Sequence, residues 1–295
     1  MTDLLDAMRS TASAVTRQLD ALLPEAAGPR GQVVQAMRYA TLGGGKRLRP
    51  FLVVATARLF DVRDPRALRV AAALEMVHCY SLVHDDLPAM DNSDLRRGNP
   101  TVHRKFDEAT AILAGDGLLT EAFGVLSHPD THKDPAVRAL LVQELAAAAG
   151  AAGMVGGQMI DISPEREDLD LDGVTELQRL KTGALIDNAC QSGAILGQAD
   201  DPSRQALAAF TADLGLAFQI ADDLLDTEGS SAELGKPTGQ DVAAGKATFV
   251  SLLGPKGARD KAVRLVDSAV EHLNSFGEKA DLLRQTAHFV IERKS

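Results

Sequence analysis

Apolar residues recur at three- and four-residue intervals along nearly the whole chain, between Gly, Pro and Asp punctuation, which is the period of amphipathic helices. The pattern predicts helices over residues 3–22, 31–42, 50–60, 66–87, 102–127, 134–154, 174–198, 203–227, 246–254, 259–275 and 279–292. Residues 66–84 and 206–225 are apolar almost all round, so these helices belong inside a bundle. The run from Ala146 to Gly157 has side chains so small that either a neighbouring helix or a ligand can approach its backbone. The polar stretch from Thr227 to Ala244 is too poor in hydrophobics to pack and too charged for an inert linker, and reads as a mobile lid.

Composition narrows the class. With 45% hydrophobic residues there is material for a substantial core, while 4% aromatics and no Trp starve a large sheet of its preferred residues. The expected fold is all-α, and since no stretch marks a boundary, a single domain over residues 1–295. The 31 Lys+Arg against 41 Asp+Glu give a net charge of −10, which excludes a nucleic-acid binder working by general basicity. Cys79 and Cys190 lie in apolar helical contexts and read as reduced core thiols. The first residues carry no signal-peptide pattern, and the apolar run 139–157 is interrupted by Gln143 and Glu144, a poor membrane span. The expectation is a soluble, cytoplasmic protein without stable membrane insertion.

Two acidic clusters carry the chemistry. In Asp222-Asp223-Leu-Leu-Asp226, the first and last aspartates are four apart, about 40° round a helix, and share a face with Gln219 one turn earlier. In Asp85-Asp86-Leu-Pro-Ala-Met-Asp91 the outer aspartates would diverge by about 120° on a continuous helix. Pro88 disfavours helix at Leu87, so the chain can turn and bring Asp91 back toward Asp85. Acids at helix C-termini oppose the helix dipole, which makes a purely structural role a weak explanation. Carboxylates without His or Cys partners favour a hard cation such as Mg²⁺, which completes its shell with water and phosphate oxygens.

Cations alternate with these acids. Gly43-Gly44-Gly45-Lys46-Arg47-Leu-Arg49-Pro50 offers flexible backbone and three positive charges, a natural diphosphate cradle. Arg96-Arg97-Gly98 follows the first cluster, Lys181-Thr182-Gly183 stands midway, and Lys236 and Lys246 follow the second. His78, seven residues before Asp85, falls about 20° round the helix from it and is either a ligand contact or a satisfied core residue.

These residues together resemble the trans-isoprenyl diphosphate synthase family, and the resemblance covers nearly the whole chain. It rests on the order of Gly-Gly-Gly-Lys-Arg-Leu-Arg-Pro at 43–50, the aspartates at 85–91 with Arg96-Arg97-Gly98, Lys181-Thr182, Gln219 to Asp226, Gly235-Lys236-Pro237, Asp241 and Gly245 to Thr248. The resemblance implies a single all-α bundle around a deep cavity, usually a homodimer, with three Mg²⁺ ions per site, or Mn²⁺ in their place. An allylic diphosphate between the two aspartate motifs ionises, isopentenyl diphosphate attacks the cation, and the released diphosphate takes the proton. Carried over, Asp85 and Asp91 bind two ions and Asp222 the third, with Asp86, Asp223 and Asp226 around them. Arg96, Lys181, Thr182, Gln219, Lys236 and Lys246 resemble the allylic-diphosphate contacts, of which Arg96, Lys181, Thr182 and Gln219 are the catalytic candidates. Gly45, Lys46, Arg49, His78 and Arg97 resemble the isopentenyl-diphosphate contacts.

In the family the product grows down the cavity from the first motif. Tyr80, five residues before Asp85, and Ser81 stand where chain length is set, and with the inserted Pro88-Ala89 they resemble the bacterial farnesyl type. A farnesyl (C15) product is expected, with a geranylgeranyl or geranyl product as the nearer alternatives. A terpene cyclase has no use for the cradle at Lys46–Arg49 or for paired Arg96-Arg97, and a non-catalytic regulatory subunit has no use for intact aspartates in both motifs.

Overall fold

The computed structural model describes residues 2–62, 64–163, 166, 168–228 and 246–293. Most of the polar stretch expected as a lid, together with Lys236, Asp241 and Gly245, lies outside these residues. The helices are α1 (Thr2–Leu22), α2 (Gly31–Leu42), α3 (Leu48–Leu59), α4 (Asp64–Asp85), α5 (Val102–Lys105), α6 (Glu108–Ser127), α7 (Pro135–Ala149), α8 (Met154–Asp161), α9 (Leu171–Gln178), α10 (Ala184–Leu196), α11 (Asp201–Glu228), α12 (Phe249–His272) and α13 (Asp281–Glu292). A two-residue hairpin pairs β1 (Leu95–Arg96) with β2 (Asn99–Pro100). The fold is all-α.

Backbone contacts divide the chain into two compact units, residues 1–144 with 195–198 and residues 145–194 with 199–295. In the first, α4 packs between α3 and α6, with α1 and α2 against it. Its residues from Val70 to Val77 are all buried, as an apolar helix with no polar face requires. In the second, α11 packs against α12 and α13 around Ile220, Phe249, Val250 and Ala262.

Local chemistry explains where helices stop. Asp107 caps α6 by accepting from the Thr110 N–H at 2.7 Å, which separates α5 from α6 inside the predicted 102–127 helix. Thr248 and Ser251 form a reciprocal cap on α12, and Gly254 before Pro255 breaks its helical dihedrals, close to the gap the periodicity left between 254 and 259. By length and hydropathy both Glu108–Ser127 and Pro135–Asp161 reach the requirement for a membrane span. The second is broken after Ala149 into helices of 15 and 8 residues, each shorter than the roughly 20 residues a crossing needs. The first packs against α2 and α4 and carries Asp116 and Glu121.

Candidate functional site

In the first unit the end of α4 sets the geometry. After Asp85 the chain turns over Leu87–Met90, and the Asp91 N–H donates to the Asp85 carbonyl at 2.8 Å. Asp91, exposed, thus returns to the helix end that holds the half-buried Asp85, the fold-back that Pro88 permits. Asp86 points elsewhere. It is 3% exposed and accepts from Arg96 Nη2 at 2.5 Å and Nε at 3.1 Å, an ion pair that ties the hairpin to α4. Burial pushes the Asp86 carboxyl above its usual range, and Arg96 opposes that rise.

The glycine loop before α3 meets the hairpin. Gly44 and Gly45 have φ of +90° and +132°, and Arg97 Nη1 donates to the Gly44 carbonyl. A Cβ on Gly45 would come within 2.5 Å of Arg97 Nη1, so glycine there lets the guanidinium lie on the loop. The three cations of this segment separate. Arg47 is buried in an ion pair with Glu75 at 2.5 Å and donates to the Thr41 carbonyl, fixing the loop from below. Lys46 stays exposed and Arg49 half-buried.

His78 belongs to this group rather than to the apolar core. Burial, then the charges of Arg49, Arg97, Arg47 and Arg96, hold its imidazole well below the ordinary range, so it is neutral at pH 7. A cavity of about 130 Å³ lies under the hairpin, lined by Tyr39, Cys79, Leu82, Asp86 and Arg96. Cys79 and Cys190 are buried and form no disulfide, and burial pushes Cys79 up to about 12.

Tyr80 is 6% exposed and meets His84 edge-on, ring centroids 5.7 Å apart. His84 Nε2 lies 3.1 Å from the Ile112 carbonyl, and a Cβ on Gly115 of α6 would come within 2.1 Å of the same nitrogen. The Tyr80 ring is therefore braced through His84 against a glycine. Ser81 turns its hydroxyl back to the His78 carbonyl at 2.9 Å.

In the second unit Lys181 and Thr182 occupy a five-residue π-helical turn, Arg179–Gly183, between α9 and α10. Such bulges insert a residue and re-aim side chains. Two glycines hold it. A Cβ on Gly157 of α8 would come within 2.3 Å of the Lys181 nitrogen, and one on Gly215 of α11 within 3.2 Å of the Gly183 Cα. At Gly157, close packing of backbone is thus what the small-residue run serves.

Gln219 and Asp223 continue from that turn. The Thr182 hydroxyl lies 3.3 Å from both Gln178 Oε1 and Gln219 Oε1, while Gln219 Nε2 donates to Asp223 at 3.0 Å. The other Asp223 oxygen accepts from the Phe249 N–H at 2.9 Å, joining α11 to the start of α12. Asp223 and Asp226 are buried, whereas the Asp222 side chain is 45% exposed. Arg293 donates to Asp222 and stacks 4.0 Å from the Phe218 ring. Lys181 and Lys246 share the carboxylate of Asp161, at 2.6 and 3.8 Å.

The second aspartate of each pair, Asp86 and Asp223, is thus buried in protein hydrogen bonds, whereas Asp85, Asp91 and Asp222 are more exposed, Asp222 in its ion pair with Arg293. Among the described residues no three or more acids, His or Cys converge on a preformed metal cage. Such a donor set fits Mg²⁺, which takes one or two carboxylates and fills its octahedron with water and substrate oxygens. Sequence reasoning missed Asp161 and Arg293. The first lies four residues beyond the small-residue run already singled out, and the second stands in the C-terminal Phe-Val-Ile-Glu-Arg-Lys-Ser, which resembles the bacterial farnesyl type, but 71 residues separate it from Asp222 and no spacing links the two.

The family model described as polyprenyl synthetase matches residues 31–285. A farnesyl diphosphate synthase of Escherichia coli (strain K12) is 47% identical over 88% of this chain and 89% of its own. One from Geobacillus stearothermophilus is 45% identical over 89% and 88%. The apo crystal structure of an FPP/GFPP synthase from Zymomonas mobilis superposes with a TM-score of 0.90 at 49% identity, covering 98% of this chain and 99% of that one.

Proposed function

The chain belongs to the polyprenyl synthetase family and is a prenyltransferase, and we propose that it condenses isopentenyl diphosphate with dimethylallyl and then geranyl diphosphate to give (2E,6E)-farnesyl diphosphate. The observation that carries the C15 product is Tyr80, a buried ring five residues before Asp85 and braced by His84. In this reading that ring is the floor that stops the tail after three isoprene units. We also propose that residues 1–295 act as one polyprenyl synthase domain, since one family model runs across both compact units. A cytoplasmic homodimer completes the reading, supported by the exposed Ile112 and Leu113 on α6.

Divalent metal, three Mg²⁺ ions in this proposal, supplies Lewis-acid stabilisation of charge on the departing diphosphate. Asp85, Asp91 and Asp222 hold the ions, and Asp86 and Asp223 keep those carboxylates' backbones in place through Arg96 and Phe249. Asp226 lies buried one turn after Asp222 on the same helix. Arg96, Lys181, Lys246 and Lys236 bind the allylic diphosphate, and fixed cations stabilise the negative charge that grows as it departs. Thr182 and Gln219 present oxygens toward the allylic cation. Lys46, Arg49 and Arg97 bind isopentenyl diphosphate, with Gly45 leaving room for the Arg97 guanidinium, and neutral His78 donates to it without adding charge.

Product analysis tests the reading. The purified protein with Mg²⁺, dimethylallyl and isopentenyl diphosphates is expected to yield C15, and Tyr80→Ala to shift the main product to C20 or longer. A C15 profile in the variant removes Tyr80 as the floor, and C20 from the wild type replaces the farnesyl reading with the geranylgeranyl one.

A further inference from the structure

Asp161 belongs to neither aspartate motif, yet three cations converge on it. Its side chain, 4% exposed, ends α8. One carboxylate oxygen accepts from Arg166, and the other faces Lys181 Nζ at 2.6 Å and Lys246 Nζ at 3.8 Å. Arg166 is almost as buried as Asp161 and suffices to neutralise it. Two lysines reach the same carboxylate. They come from segments 65 positions apart, and their side chains are 23% and 26% exposed, so each reaches the carboxylate from the solvent side.

A second observation fixes the same lysine. Gly157 lies one turn before Asp161 on α8, and its backbone packs directly on that of Lys181. Helix α8 therefore sets the main chain of Lys181 through Gly157 and its ammonium through Asp161. Lysine side chains lose more rotamer freedom on ordering than almost any other, and a site that orders them beforehand spends less of the ligand's binding energy on it.

We infer that Asp161 is a positioning residue that gathers Lys181 and Lys246 into one preordered diphosphate clamp, with Arg166 holding the carboxylate from behind. The inference rests on the reading of both lysines as allylic-diphosphate contacts. Through-space charge works against it: a carboxylate repels a diphosphate, so if charge alone mattered, neutralising Asp161 would tighten binding. The clamp requires the opposite result.

The test compares wild type with Asp161→Asn, which keeps the shape and removes the charge. Steady-state kinetics are measured with the allylic diphosphate varied, then with isopentenyl diphosphate varied, and inorganic diphosphate binding in Mg²⁺ is measured by calorimetry. The expected result is a KM for the allylic substrate raised about tenfold or more, with the isopentenyl KM within about twofold, since misplacement near 1 Å costs up to ~100-fold. Diphosphate binding weakens in parallel, and Asp161→Glu recovers part of the loss. Diphosphate binding to Asp161→Asn equal to or tighter than wild type overturns the clamp, as does an equal rise in both KM values. If Asp161→Asn does not fold, Arg166→Met is measured in the same way. Weaker diphosphate binding supports the clamp there too, and unchanged binding overturns it. A wild type that forms no prenyl product, together with weakened diphosphate binding in the variant, overturns the assigned reaction and leaves the clamp standing.

Discussion

His78 shows how one residue's surroundings translate into a measurable property. Its imidazole is held well below 6.5 by burial and by Arg49, Arg97, Arg47 and Arg96, so the folded protein binds this proton less readily than the unfolded chain. The resulting stabilisation is complete above the unfolded value near 6.5 and is lost as pH falls below it toward the depressed folded pKa. Urea denaturation should therefore give a falling midpoint from pH 7.5 to 5.5, and His78→Asn should flatten that fall; a slope unchanged by the substitution would remove His78 as its source. At this scale the sequence was informative about residue types but not about which oxygen faces what. It placed six aspartates in two motifs, and the fold then separates Asp86 and Asp223, both turned into the protein, from Asp85, Asp91 and Asp222. Spacing cannot make that separation, because adjacent residues 100° apart on a helix end can both reach outward until a hairpin or a neighbouring helix claims one of them. Likewise the cradle's three cations looked equivalent, and burial beside Glu75 singled out Arg47.

Among the elements, the π-helical turn at Arg179–Gly183 departs most from its sequence pattern. The apolar period runs through residues 174–198 as one helix, and a single inserted residue shifts the face by only one position, too little to break that period. What the sequence did show was a run of Ala and Gly at 146–157 open to close approach by a helix or a ligand, but neither its partner nor the glycine that is pressed against the turn. Gly157 and Gly215 flank the turn, and the Gly157 contact is with backbone atoms, the nitrogen and Cα of Lys181 at 2.3 and 2.6 Å from an added Cβ. No rotamer change relieves such an overlap, so α8 and the turn must part. Gly157→Ala should lower stability by about 1–3 kcal/mol, as overpacked cores do, seen as a lower thermal midpoint. Gly124→Ala on α6 is the control, since its Cβ would meet nothing nearer than Glu121 at 3.9 Å, and it should be neutral or slightly stabilising. Equal losses in the two variants would mean that helix glycine content, and not the backbone contact, sets the effect. The end of α4 was readable for the opposite reason, because proline acts through its own ring and needs no distant partner.

For the whole molecule, composition separated all-α from the other classes and the net charge of −10 excluded a polyanion binder working by basicity, yet neither indicated two compact units or which surface stays apolar. Periodicity explains the second gap. It shows that a helix has an apolar face but not when a helix is apolar on two, and α6 is such a helix. Its Ala111, Ala114, Leu118 and Ala122 are buried against α2 and α4, while Ile112 and Leu113 stay 45% and 56% exposed on the other side, flanked by exposed Ala109. Adjacent large aliphatics in water are a cost that a second copy removes by covering them. A two-fold interface brings the same patch of each chain together, so one charge introduced there appears twice and repels itself. Leu113→Glu leaves the buried face of α6 untouched and should therefore fold normally while failing to pair. Light scattering after size exclusion should find the wild type at twice the 31.2 kDa chain mass and the variant at the mass of one chain, with thermal midpoints measured alongside. A variant that still runs at the doubled mass would move the interface off α6, and a wild type at the single mass would leave the exposed pair needing a different partner.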